Sequence, residues 1–301
     1  MRKIFAKILA VAAIYFAVAA FAMPVHAAPG YTDAKNAALD WLLEAAPDGA
    51  QVGGVVGEWA VRALALAGRI DAQDPWTRAW LTDLDASLAQ LNTGATPATL
   101  RRWTDLQRIT LALGALGLDA TNYNGRDLTA DFRFFIPNSR RATVNRTITA
   151  DIYALIALES VGRTSPWFFS ALLQAQRPDG TWSINPAQAT SAFDIDITAM
   201  AVQALVPFYR EGNPRAVTAV QRASQWLTAQ TPANAESTAQ VILAFTALGE
   251  GYNTYASYYV AHLLQWFDPA LGGFTRPSVL NQVNAMSTVQ AAYALAVYHT
   301  R

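Results

Sequence analysis

The segment Thr198–Pro207, TAMAVQALVP, runs ten residues without a charge and presents Ala, Val, Leu or Met on nearly every side. A helix of that composition has no solvent face and must be buried almost all round. Five other segments read the same way: GEWAVRALAL from Gly57, TDLQRITLAL from Thr104, DIYALIALES from Asp151, TAQVILAFTA from Thr238 and TVQAAYALAV from Thr288. Beyond the first turn, charge interrupts them only at Arg62, Arg108 and Glu159. Their starting points lie 47, 47, 47, 40 and 50 residues apart, and a period of that size marks a repeat architecture rather than a string of independent domains.

Ahead of each apolar segment stands a more amphipathic one. These are AKNAALDWLLEAA from Ala34, DPWTRAWLTDLDASLAQL from Asp74, GRDLTADFRFFI from Gly125, SPWFFSALLQAQ from Ser165, NPRAVTAVQRASQWLTAQ from Asn213 and YASYYVAHLLQWF from Tyr255. Three open on a proline at the first helical position (Pro75, Pro166, Pro214), where the missing N–H costs nothing. The pattern predicts six hairpins of one outer and one inner helix. Twelve helices closed on themselves bury the inner ring without capping repeats, so the expected fold class is all-α, an α/α toroid barrel. An open superhelix is the alternative, but it requires polar terminal caps.

The chain begins MRKIFAKILAVAAIYFAVAAFAMPVHAAPG, with Arg2, Lys3 and Lys7 ahead of an uncharged run from Ile8 to Met23, then Val25 and Ala27 at small-residue positions. This reads as a signal peptide over 1–27, cleaved after Ala27 to leave a secreted domain of residues 28–301; an uncleaved anchor is the rival reading. Without the leader, 19 basic face 22 acidic residues, a net of −3. Such a surface supplies no electrostatic footprint for nucleic acid, and no second run is long enough to span a membrane. The chain has no cysteine, which removes thiol nucleophiles and thiolate zinc sites, and of three histidines His26 leaves with the leader. With only His262 and His299 left, neither assigned a role, a His-based triad or a multi-histidine metal site is not expected, and no cofactor is implied.

The stretch QRPDGTW, Gln176–Trp182, has the Gln, Gly and Trp spacing that ends the repeat motif of squalene-hopene and oxidosqualene cyclases, and QWFDPALGGF, Gln265–Phe274, is a looser echo. Physically the motif is a helix end, a turn that glycine permits, and a Trp folded back on the next helix. DIDITAMAVQALVPFY (Asp194–Tyr209), NAESTAQVILAFTALG (Asn234–Gly249) and MSTVQAAYALAVY (Met286–Tyr298) extend the likeness. Over nearly its whole mature length the chain resembles secreted bacterial domains with prenyltransferase and squalene-oxidase-type repeats. Through them it resembles the helical domain of transcobalamin and intrinsic factor. The resemblance implies a terpenoid cyclase-type toroid, with a ligand such as a corrinoid as one possibility.

In the triterpene cyclases an Asp-x-Asp-Asp-Thr-Ala string heads an inner helix and its middle Asp donates the proton that starts cyclisation. Here Asp194, Ile195, Asp196, Ile197, Thr198 and Ala199 stand in its place. The resemblance therefore implies Asp196 as proton donor with Asp194 beside it, and departs where Ile197 replaces a third acid. Protonating an alkene needs a carboxylic acid held neutral by neighbouring carboxylates in a dry cavity. A helix-capping role would instead favour the ionised form, so capping, ligand contact and acid catalysis are all open at this site.

Glu58, Asp105, Asp151, Asp196 and Glu236 all fall near the head of an inner helix, and closure would gather them round one mouth. Such a ring could hold a cation or polyol, or could answer only the helix-dipole preference of first-turn acids. Trp59, Trp103, Tyr153, Trp182, Phe193 and Phe274 lie at similar heights and could stack on a flat apolar or sugar-like ligand, or pack between the rings. Trp41, Trp76, Trp80, Trp167, Trp226 and Trp266 are expected as filler between outer helices. Asn145, Arg146 and Thr147 form a glycosylation triplet.

Three functions follow. The first is a secreted, non-catalytic binding domain for a hydrophobic, corrinoid or glycan ligand or an extracellular protein. The second is a class II terpene cyclase using Asp196. The third, minor, is a carbohydrate-active enzyme built on paired carboxylates. A protein prenyltransferase is excluded because the zinc site of that family uses a cysteine.

Overall fold

The computed structural model describes residues 30–92, 104–133, 147–185, 195–277 and 279–300. The leader, Trp103, Phe193, Asp194, Asn145 and Arg146 lie outside them. Among the described residues there are eleven α-helices. The inner set is α2 (Glu58–Leu66), α4 (Asp105–Ala115), α5 (Thr149–Ser160), α7 (Ile195–Arg210), α9 (Ala235–Leu248) and α11 (Ala285–His299). The outer set is α1 (Tyr31–Ala45), α3 (Pro75–Asn92), α6 (Pro166–Gln174), α8 (Pro214–Leu227) and α10 (Asn253–Leu263). None is long and apolar enough to cross a membrane.

The inner helices pack in chain order, α2 on α4, α4 on α5, α5 on α7, α7 on α9 and α9 on α11. The last then packs on the first, α11 on α2, so the ring closes as an α/α toroid. Outer helices back this ring, with α1 against α11, α6 against α5, α8 against α7 and α10 against α9. The uncharged segments are buried as their composition demands: Ala199, Ala201, Val202 and Leu205 of α7 and Val241, Ile242, Ala244 and Phe245 of α9 are solvent-free or nearly so. Alanine at so many inner positions lets helix axes approach closely on both sides of each helix.

The cyclase-type spacing at Gln176–Trp182 builds a staple. After α6 ends, Gly180 turns the chain with φ +91°, and a Cβ there would stand 3.0 Å from the Arg222 backbone. Trp182 then folds inward, its indole N–H donating to the Leu172 carbonyl at 2.7 Å and its backbone N–H to the Thr198 hydroxyl at 3.1 Å. Gln176 ties the turn to the next hairpin through the Gly180 and Ala219 carbonyls. The looser echo repeats the essential contact, since the Phe274 N–H donates to the Thr288 hydroxyl at 2.9 Å.

Several local details differ from the sequence pattern. The stretch from Gly125 forms no α-helix among its described residues, only a 3-10 turn at Ala130–Arg133. There Asp127 accepts from the Thr129 N–H and hydroxyl and from the Ala130 N–H, satisfying the backbone without a helix. The last hairpin carries a small antiparallel sheet, β1 (Phe267–Asp268), β2 (Gly273–Arg276) and β3 (Val279–Val283), in the order β1-β2-β3. The caps of α9 and α11 are Asn234 and Asn284, accepting from the Ser237 and Ser287 N–H groups at 2.8 and 3.0 Å, and Ser237, Thr238, Ser287 and Thr288 lie inside the first turn. Trp76 and Trp80 are buried filler, whereas Trp167 is 46% exposed and packs edge-on against Phe168.

Candidate functional site

Three inner helices that are not all neighbours meet at one cluster in the lumen. Trp59 of α2 packs edge-on against Tyr153 of α5, with ring centroids 5.8 Å apart, although α4 stands between those helices in the ring. Tyr293 of α11 approaches Trp59 from the other side at 5.5 Å. The guanidinium of Arg62, one turn along α2 from Trp59, lies 4.3 Å from the Tyr293 ring centre and 5.3 Å from that of Trp59, and donates to the Tyr293 hydroxyl. This is cation–π geometry. The Tyr153 hydroxyl donates to the sulfur of Met200 on α7 at 3.3 Å.

A second arginine neutralises two of the acids. Arg108 of α4 pairs with Asp105 on its own helix and stands 3.5 Å from the Glu58 carboxylate across the α2–α4 seam. Glu58 is wholly buried, and its other oxygen accepts from the Gly53 N–H at 2.6 Å. Burial pushes the Glu58 carboxyl above its ordinary value, while Arg108 and the backbone N–H groups pull the other way. Burial likewise raises the Tyr153 hydroxyl; the charges of Arg108 and Arg62 oppose that rise and those of Tyr293 and Asp196 add to it. All four groups therefore lie within electrostatic reach of one phenol.

The remaining acids are distributed round the same end. Asp151 is buried in the first turn of α5, and Asp196 is half-buried in the first turn of α7. Glu236 of α9 is held by Arg276 of β2, whose Nε donates at 2.6 Å. Among the described residues no group of three or more His, Asp or Glu is placed to hold a metal ion. Trp182 and Phe274, considered above as stacking residues, are fully buried between the rings and serve the hairpin staples. Trp103, Phe193 and Asp194 lie outside the described residues.

Sequence reading did not single out Arg62, Arg108 or Tyr293 as site residues, nor a chain of amides that runs from α7 to α11. There Gln203 of α7 donates to the Gln240 side chain at 3.0 Å, and Gln240 of α9 donates to Gln290 of α11 at 3.1 Å. The signal was present in the repeat register. Counting from the first residue of each apolar segment, the second following position holds Trp59, Tyr153, Met200, Gln240 and Gln290, and the fifth holds Arg62, Gln203 and Tyr293. Positions three apart share one helix face, and that face is the lumen.

The chain matches no protein-family model. No curated protein matches it. Among solved structures it is similar to ent-copalyl diphosphate synthase from Streptomyces platensis, with a TM-score of 0.50 and 22% identity over 80% of this chain. The likeness is one of fold. The chain has the α/α toroid of the terpenoid cyclases, and it spans half the length of that synthase.

Proposed function

We propose that this chain is a non-catalytic binding domain that holds a polar ligand in the lumen of a terpenoid cyclase-type toroid. The observation that carries the reading is the pair of buried guanidinium groups, Arg62 on two aromatic rings and Arg108 between Glu58 and Asp105. A hydrocarbon chain laid against them would strip water from charged groups and return no hydrogen bond. Sugars and other polar ring compounds, by contrast, combine faces that stack with edges that bond. The leader, with export of residues 28–301, belongs to the same proposal, since a secreted domain meets glycans, corrinoids and extracellular proteins.

The second reading, a class II terpene cyclase with Asp196 as proton donor, is favoured by the position of Asp196 in the first turn of an inner helix of this fold. Against it stands Ile197 in the place of the third acid, so that this string lacks the full cluster of carboxylates that would hold a donor protonated.

A thermal-shift screen of the purified chain against oligosaccharides, corrinoids and polyprenoid diphosphates separates the two, with Asp196→Asn run in parallel. Binding without turnover, unchanged in the variant, is the expected result. Turnover of a polyprenoid diphosphate that the variant abolishes would replace the binding reading by the cyclase one.

A further inference from the structure

Among the described residues Arg62 has no acidic counterpart. It is buried, its Nε makes no hydrogen bond, and among the described residues no carboxylate lies within ion-pair distance of it. Arg108, its neighbour, has two carboxylates. A buried cation stacked on Trp59 and Tyr293 but lacking an anion is costly unless something supplies one. Tyr153, Gln203 and Gln290 are only half-buried, so solvent reaches side chains on the inner helices around it.

Taking the binding-domain reading as its premise, we propose that Arg62 is the anchor for the carboxylate of an acidic sugar, a uronate, bound in the lumen. One guanidinium matches one negative charge. A phosphate dianion would bring a second charge toward Asp196, whose field already reaches this cluster through Tyr153. The guanidinium fork fits a carboxylate with two parallel hydrogen bonds. Tyr153, half-buried beside Trp59, offers an aromatic surface to the sugar body. Gln290 lies three residues before Tyr293 on the same face of α11, which puts the Gln203–Gln240–Gln290 chain next to the anchor. The Gln290 amide and the Gln203 carbonyl, at the two ends of that chain, are positioned to bond hydroxyls.

The test titrates the full chain calorimetrically with D-glucuronate, D-glucose and inorganic phosphate, and repeats it with Arg62→Gln and Arg62→Lys. Glucuronate is expected to bind at least about tenfold more tightly than glucose or phosphate, a margin set by a charge-assisted bidentate pair. Arg62→Gln should lose that margin and Arg62→Lys keep part of it. The ligand-free Arg62→Gln protein should melt no lower than the parent, because it loses an uncompensated charge. Equal binding of glucuronate and glucose, tighter binding of phosphate, or undiminished glucuronate binding by Arg62→Gln would overturn the proposal. So would a fall in the ligand-free melting temperature of more than about 5 °C, which would make Arg62 a structural strut. If a neutral oligosaccharide or corrinoid binds the parent and Arg62→Gln alike, this inference falls while the binding domain stands. Turnover of a polyprenoid diphosphate that depends on Asp196 removes the binding domain itself.

Discussion

Glu58 carries a pH signature that follows from its place under the ring. Its carboxyl is raised above 4.5 by burial, against the opposing pull of Arg108 and the Gly53 N–H. Below about pH 4.5 the group is protonated in folded and unfolded chains alike. As pH rises past that value the unfolded state ionises first, so the stability contributed by Glu58 is lost progressively until the folded value is passed. Glu58→Gln removes this dependence and leaves Arg108 its pair with Asp105. Its stability relative to the parent should therefore improve between pH 4 and pH 7, by at most about 1.4 kcal/mol for each pH unit inside the window. Urea unfolding at the two pH values checks this, and a relative stability that stays flat or declines would show that the ion pair with Arg108 outweighs the burial cost. At this scale Arg62 and Arg108 were visible as charges breaking apolar segments, but which rings and acids they meet depends on helices far apart in sequence, as in the approach of Arg108 to Glu58 and the bond from Arg62 to Tyr293. No local pattern carries that.

Hairpins are where the repeat becomes structure, and each is fastened at the head of its inner helix. Asn234 and Asn284 both stand four residues before a threonine, Thr238 and Thr288, and the register aligns Asp194 with them ahead of Thr198. Alanine at Asn234 or Asn284 should cost about 1 kcal/mol each in denaturant unfolding. The same register makes Asp194→Asn neutral and Asp194→Ala equally costly; a large loss with asparagine would mean that the charge at 194 has another use. The threonines belong to the staple. Thr198 accepts from the buried Trp182 N–H and Thr288 from the Phe274 N–H, so valine at either should cost about 1–3 kcal/mol by orphaning a backbone donor, while serine should cost far less. The inner helices were legible because a segment apolar on all faces has only one stable use. The sheet was not: Gly273 sits where a Cβ would lie 2.5 Å from Val283, a close approach set by a strand six or more residues on. The stretch from Gly125 misled for the opposite reason, its charge spacing suiting a helix while Asp127 made a better local bargain with Thr129.

Closure is what distinguishes this molecule from a stack of hairpins, and it has a measurable consequence. In an open solenoid each repeat touches only its neighbours, so damage at one end spreads weakly. Here α11, last in sequence, packs on α2, the first inner helix, and Leu295 of α11 is fully buried. Leu295→Ala should cost about 2–5 kcal/mol by leaving a cavity. If the ring is one cooperative unit, that loss must appear as faster hydrogen exchange not only in α2 and α9 beside the seam but equally in the core amides of α5, which is not a neighbour of α11 in the ring. Exchange that quickens only in α2, α9 and α11 would show the seam to be a loose join. The lumen cluster makes the same point chemically. Trp59 and Arg62 come from the first inner helix and Tyr293 from the last, so a site made of them exists only while the seam is shut. Opening the ring would separate the cation from one of the two rings that hold it, and any ligand anchored there should protect the seam. Binding should therefore slow exchange in α2 and α11 together, an effect that Arg62→Gln abolishes and that a ligand sitting on the outer helices could not produce.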